Sequence, residues 1–563
     1  MRIFAWVVHA RRPLRLVELE HALATQRGMK RIDEGNLTYK SVLLSVCAGL
    51  VTSDDKSETV RLVHYTAQEY FQDSWRNWFL VESLVIPDIC LTYLSFDAFK
   101  TGGSLADWQL SKLLEMHPLI AYAAENWGNH IRDMEVEDEY CHVAGDMAIP
   151  FLQNEDMIYF VTQTMLGFAW GHGTEHRTPT LGLHLTARFG CIELTQRLLT
   201  EIWQVNCRDN YGRTPLWHAA NFGHERVVRM LLDSHADVNA QGRRYGSALQ
   251  AACEGGHDKV VRMLLENHAD VNAQGGDYGS ALQAACEGGH DKVVQMLLEN
   301  HADVNTQGGR YGSALQAACE GGHDKVVQML LENHADVNAQ GGDYGSALQA
   351  ACAGGHDKVV KMLLENHADV NAQGGLYGSA LQAACEGGDE KVVKMLLDNC
   401  ADVNAQGGLY GSALQAACAG GHNKVVQMLL DSHADVNAQG EDYDSALQAA
   451  CARGHDKVVQ MLLENHADVN LADCHGWDPL TIAVVCGHTQ IGDILTECRR
   501  GTSLGLPAIL SPSALVHAVL PSGIAIKSDK LRIIAGWFLL FISQTSNALT
   551  LCSQNMPHSM SLR

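Results

Sequence analysis

The chain has 563 residues, a formal net charge of −24 and 46% hydrophobic residues. That length exceeds what one hydrophobic core organises, so several structural units are expected. The acidic balance argues against a general binder of phosphate backbones, although residues 1–40 carry eight Lys or Arg against four Asp or Glu.

The opening MRIFAWVVHARRPLRL has too short an apolar run for a secretory signal and no cleavage-type segment behind it. A reducing interior is therefore expected, the cytoplasm ahead of the nucleus because no strong basic localisation cluster is present, with the seventeen Cys as thiols. Ile3–His9 is apolar enough for a buried helix, and Pro13 ends the connection after it. Leu16–Ala24 places apolar residues at 16, 19 and 23, a helical spacing. Asn36-Leu-Thr38 matches a glycosylation acceptor, but inside a cell it reads as a cap for the next helix. Thr38–Leu50 is expected as that helix, with Val42, Val46, Ala48 and Leu50 buried. Two β-type runs, Leu50–Thr52 and Thr59–Val63, flank a polar turn at Asp54–Glu58, and Tyr65–Phe71 follows as a closing helix. Three helices and a hairpin make a winged-helix order over residues 1–75, with a helical linker region over 76–177.

The strings RPLRLVELEHALA, SVCAGLVT, RLVHYTAQEYF, ICLTYLSFDAF and LIAYAAENWGNH resemble the winged-helix and following helical region of fungal NLR-like STAND proteins. That region is named for its similarity to a GPI inositol-deacylase winged helix, and the resemblance covers about residues 1–135. It implies a place between a NACHT nucleoside-triphosphatase and an ankyrin array. A NACHT domain needs a phosphate loop, GxxxxGK followed by Ser or Thr, and no such string occurs here. The family's nucleotide switch is therefore not carried over, and the chain reads as starting just after the NTPase would have ended. The resemblance also implies a winged helix that packs on protein. Arg11, Arg12, Arg15, Lys30 and Arg31 are then a solvated basic face, and nucleic acid is not an expected partner.

From Leu183 a ladder runs through Leu216, Leu249, Leu282, Leu315, Leu348, Leu381, Leu414, Leu447 and Leu480 at steps of 33. The block from Tyr278 to Arg310, YGSALQAACEGGHDKVVQMLLENHADVNTQGGR, recurs nearly verbatim. A fixed period of 33 marks a stacked solenoid of ankyrin units, each a β-turn and two helices. Ser280 is placed to cap the first helix, and Val293, Val294, Leu297 and Leu298 form the buried face of the second. His235, His268, His301, His334, His367, His433 and His466, with Cys400 once, stand where the unit ends its helix left-handed. The expected fold class is mainly α: an N-terminal winged-helix plus helical region followed by an ankyrin-repeat α-solenoid. The array of about ten repeats spans 178–500, with atypical units as caps at its ends. Residues 501–563 read as an irregular or disordered tail. Its run LRIIAGWFLLFI at 531–542 is shorter than the roughly 20 residues of a membrane span.

Nothing in the repeats suggests chemistry. Cys253, Cys286, Cys319, Cys352, Cys385, Cys418 and Cys451 share one register position. Packed helices lie about 8–10 Å apart and a disulfide needs Cα atoms within about 7 Å, so these Cys are expected as small buried hydrophobes. Cys286 and His290 should diverge, one inward and one in the turn, so no metal is expected. Glu299 and Asp303 read as solvated residues at a helix end; no HExxH string occurs, and no GxSxG or Cys–His pairing outside the repeats supports catalysis. No catalytic residue, cofactor or small-molecule substrate is expected.

Against near-identical units, three columns vary. The hairpin tips read Arg244, Asp277, Arg310, Asp343, Leu376, Leu409 and Asp442. The first helices read Glu254, Glu287, Glu320, Ala353, Glu386, Ala419 and Ala452. The second helices read Arg262, Gln295, Gln328, Lys361, Lys394, Gln427 and Gln460. Stacking places each column as a row with steps of about 10 Å, near the spacing of packed helices. The first two rows should line the concave groove where a protein partner binds, and the third should face outward. Leu376 and Leu409 form an adjacent exposed apolar pair, a plausible contact patch. The function expected is a non-enzymatic intracellular scaffold or adaptor in fungal NLR-like signalling. The alternatives are an ankyrin coregulator that holds a transcription factor, and a fragment of a nucleotide-dependent switch.

Overall fold

The computed structural model describes residues 1–38, 40–54, 56–71, 74, 85–100, 107–135, 141–166, 182–201, 204–440, 445–473 and 475–502. The chain is mainly helical and falls into two compact units, Met1–Ala449 and Ala450–Arg563. The run expected at 531–542 lies outside the described residues.

Helices Arg2–His9, Leu16–Ala24 and Lys40–Ser45 precede a hairpin in which Val51–Ser53 pairs antiparallel with Val60–Leu62, Val51 facing Leu62. The chain between the first two helices joins this hairpin. Val60 donates to the Leu14 carbonyl at 2.8 Å, and Leu16 donates to that of Glu58 at 2.9 Å. Residues 65–71 are helical, as expected. The third helix is shorter than the expected Thr38–Leu50, because Ala48 and Gly49 both take positive φ and break it. Its buried face is also different. Leu43 and Cys47, four apart, are inside, while Val42, Val46 and Leu50 are exposed. Asn36 ends a single 3-10 turn, Glu34–Asn36, capped by Asp33.

The basic face expected near residue 12 is largely committed within the protein. Arg12 donates twice to the buried Glu18, at 2.8 and 2.9 Å, and lies over the Tyr122 ring. Burial alone would raise the Glu18 carboxyl, but Arg12 and the Arg15 amide bring it below its ordinary value. Arg11 pairs with Asp133. Both partners of these arginines beyond residue 100 sit on helix Leu119–Glu135, so the winged helix and the helical region share one core, with Trp6 edge-on to Tyr122.

That same helix abuts the first repeat. Trp127 meets Phe189 edge-on at 5.1 Å, Arg132 donates to the Phe189 carbonyl, and a side chain at Gly128 would collide with the Phe189 ring. The face of the degenerate first unit is thus covered by the helical region.

Paired helices then repeat. First helices such as Ala281–Glu287 present Leu, Ala and Cys to their neighbours, and second helices such as Asp291–Glu299 bury two Val and a Leu. The ladder leucines from Leu183 to Leu447 are all buried, and Leu480 is half-buried. Ser280 caps its helix by accepting from the Gln283 amide, as do its equivalents at 247, 313, 346, 379 and 412. The eight residues before Ala-Asp-Val-Asn, including Cys400, all sit left-handed with φ from 63° to 66°. In the second unit, Asp478 caps Pro479–Val485, and Arg499 from Thr489–Thr502 pairs with Asp478 at 2.6 Å.

Candidate protein-binding face

The tips are positioned by ties between consecutive repeats. The backbone of each tip donates to the one before it. Asp277 donates to Arg244, Arg310 to Asp277, Asp343 to Arg310, Leu376 to Asp343 and Leu409 to Leu376, at 2.8–3.0 Å. A direct amide–carbonyl bond holds two α-carbons within about 7 Å. Neighbouring tips are therefore closer than the expected 10 Å. Gly309 shows what this approach requires: its φ is +62°, and a β-carbon there would lie 2.6 Å from the Tyr278 backbone.

Beneath the tips runs a row of buried Gln. The Gln283 amide donates to the Gly308 and Gly312 carbonyls of the next hairpin, at 2.8 and 3.2 Å. Gln250, Gln316, Gln349 and Gln382 repeat this. Asn272 serves the hairpin base, donating to the His301 carbonyl and accepting from the Asp303 amide.

The first-helix glutamates are half-buried and lie within this seam. Tyr278 donates to Glu254 at 2.7 Å, Tyr344 to Glu320 at 2.9 Å and Tyr410 to Glu386 at 2.7 Å. Glu287 is bonded by Tyr311 and lies 3.6 Å from Arg310, whose guanidinium covers the Tyr311 ring. Burial raises the carboxyls of Glu254 and Glu287, partly offset by their tyrosines. These four glutamates hold the next repeat in place, a role that inspection of single units misses.

The turn histidines are likewise structural. His290 Nε2 lies 2.9 Å from the Glu254 carbonyl, and the same contact recurs at His323, His356 and His422. An imidazole nitrogen facing a carbonyl must carry its proton and donate. Cys286 is fully buried with its thiol pushed up by burial. Cys286 and His290 thus go separate ways, and among the described residues no group of three or more His, Cys, Asp or Glu is placed to hold a metal.

One junction departs at both the glutamate and the histidine positions, whereas Ala419 and Ala452 change only the first. Ala353 stands where a glutamate would meet Tyr377, whose ring stacks on Tyr344. Asp389 replaces the turn histidine and caps its own helix through the Lys391 and Val392 amides. Above this junction are Leu376 and Leu409, 48% and 46% exposed. Asp343 is exposed beside them, and Arg244 is paired with Asp277 at 3.2 Å. Asp442 lies outside the described residues. The second-helix column, including Arg262 and Gln295, is exposed.

These features define a helical-repeat scaffold with a variable ridge of hairpin tips. Residues 183–505 match the family described as ankyrin repeats (3 copies) in six overlapping stretches, 183–275, 249–341, 282–374, 316–407, 348–440 and 414–505. The chain belongs to the ankyrin-repeat family, whose arrays generally mediate protein–protein interaction. Residues 1–81 match the GPI inositol-deacylase winged-helix domain. Among solved structures, the human ASB11 ankyrin repeat domain is similar at 26% identity, covering 39% of this chain and 97% of that one, with a TM-score of 0.35. No curated protein matches. Among the described residues no helix is long and apolar enough to cross a membrane.

Proposed function

We propose that this chain is a non-enzymatic scaffold that holds a protein partner along its hairpin tips and first helices, in fungal NLR-like signalling in the cytoplasm or nucleus. The observation that carries the reading is the exposed pair Leu376 and Leu409 on an otherwise repeated framework. Exposed apolar residues side by side are a contact surface more often than isolated ones are. The order of a GPI inositol-deacylase-type winged helix and then ankyrin repeats supports the signalling context. Arg244, Asp277, Arg310 and Asp343 extend the face, and Glu254, Glu287, Glu320 and Glu386 form its floor. Asp442 continues the tip column in sequence.

The test is site-specific photocrosslinking of the full chain in a fungal lysate, with the probe at Leu409 or at Gln295. A discrete adduct from Leu409 and none from Gln295 is expected. An adduct from Gln295 alone contradicts the reading. Calorimetry with ATP or GTP should show no saturable binding, and micromolar binding would favour a nucleotide switch.

A further inference from the structure

The tip ladder limits what chemistry the face accepts. From Asp343 through Leu376 to Leu409 the tips are linked by consecutive backbone bonds of 2.8 and 2.9 Å. On one side the ridge has no side-chain wall, since Gly374 and Gly375 precede Leu376, and Gly407 and Gly408 precede Leu409; on the other stand Tyr377 and Tyr410. A helix of about 10–12 Å diameter would be held from one side only. An extended chain lies on such a ridge. Its same-face side chains recur every second residue, roughly 6.5 Å apart, which matches the tip spacing of under about 7 Å set by a direct amide–carbonyl bond.

Charge selects further. The cations of the tip column are engaged upstream, Arg244 with Asp277 and Arg310 with Glu287 and Tyr311. From Asp343 to Ala419 neither the tip column nor the first-helix column contains a Lys or Arg; it offers Asp343, Leu376 and Leu409 above Ala353, Glu386 and Ala419. An apolar pair followed by an exposed carboxylate complements a segment of two apolar residues and one base.

Building on the scaffold reading, we propose that this ridge binds an extended peptide segment with apolar side chains at i and i+2 and a basic side chain at i+4. The apolar pair lies against Leu409 and Leu376, and the base meets Asp343. Ala353 contributes by leaving the floor below Leu376 without a glutamate.

The test uses the full chain and fluorescein-labelled nine-residue Gly/Ser peptides read by fluorescence anisotropy. One carries Leu at positions 3 and 5 and Arg at 7. The second moves the Leu pair to a spacing of four, and the third replaces Arg with Glu. The first should bind at least tenfold more tightly than the others. The L376D/L409D double variant should lose that binding with an unchanged far-UV circular dichroism spectrum, and Asp343→Lys should prefer the Glu peptide. Equal binding of all three, tighter binding of the spacing-of-four peptide, or no binding overturns the proposal. A crosslinked partner at Leu409 together with any of these results would leave the scaffold reading standing and remove only the peptide chemistry; loss of both removes both.

Discussion

The junction of Glu254 and Tyr278 and that of Ala353 and Tyr377 are built on the same apolar core but differ at two side-chain positions. The first has the Tyr278–Glu254 bond and His290 on the Glu254 carbonyl. The second has Ala353 and Asp389 at those positions, while Gln349 still bridges to Gly374 and Gly378. Because a solenoid's stability is roughly a sum of repeat and nearest-neighbour terms, identical cores leave polar ties to decide which junction opens first. The difference teaches that a near-verbatim repeat is not mechanically uniform: two substitutions in different units coincide at one interface, directly under the exposed leucine pair.

The comparison can be broken at several levels. The largest effect is expected from the shared core. Leu282→Ala and Leu381→Ala, each removing a fully buried side chain, should cost about 2–5 kcal/mol apiece. Urea titration should find the two alike, because the junctions do not differ in the core. Next comes the Gln row, where Gln250→Ala and Gln349→Ala each remove two hydrogen bonds to the next hairpin, about 1–3 kcal/mol for the pair. Hydrogen exchange should then show wider opening around Gln349, where Ala353 and Asp389 stand in place of a glutamate and a histidine.

A smaller effect sharpens the contrast by adding a tie. Ala353→Glu places at this junction the acceptor that Glu254, Glu320 and Glu386 supply elsewhere and should gain about 0.5–1.5 kcal/mol, and Glu320→Ala should lose a similar amount. No gain in the urea midpoint of the Ala353→Glu chain would show that the glutamate column does not set the strength of this junction.

The smallest effect is in pH. Burial raises the folded-state carboxyls of Glu254 and Glu287 above their ordinary 4.5. The folded array holds those protons to higher pH than the unfolded chain. Their contribution is therefore fully present below about 4.5 and lost as pH rises through the raised values. Glu254→Gln with Glu287→Gln keeps an acceptor for each tyrosine without the buried charge. The double variant should be relatively more stable than the parent at pH 7, with the advantage shrinking toward pH 4.5. The Ala353 junction has no carboxyl at this position and adds no such dependence.

What was legible in the sequence was whatever lies within one unit. The leucine ladder, the Ser caps and the left-handed His positions depend on neighbours a few residues away, so the period exposed them. The ties across units were not legible. Tyr278 reaches Glu254 over 24 residues, and Gln283 reaches its two carbonyls over 25 and 29. A column of identical letters does not say which other column it faces. The glutamates were therefore read as open groove contacts and His290 as a plain turn residue. In the winged helix the misreading was rotational: Leu43 and Cys47 are buried, and the Val42 and Val46 face is not. Both stripes have helical spacing, and only tertiary packing chooses between them.

The central claim, that the leucine-bearing tips hold the partner, is tested most directly by capture with the L376D/L409D full chain beside the parent. The account predicts at least tenfold weaker capture of the protein crosslinked at Leu409, with the same circular dichroism spectrum and urea midpoint. Unchanged capture by a folded double variant would contradict it.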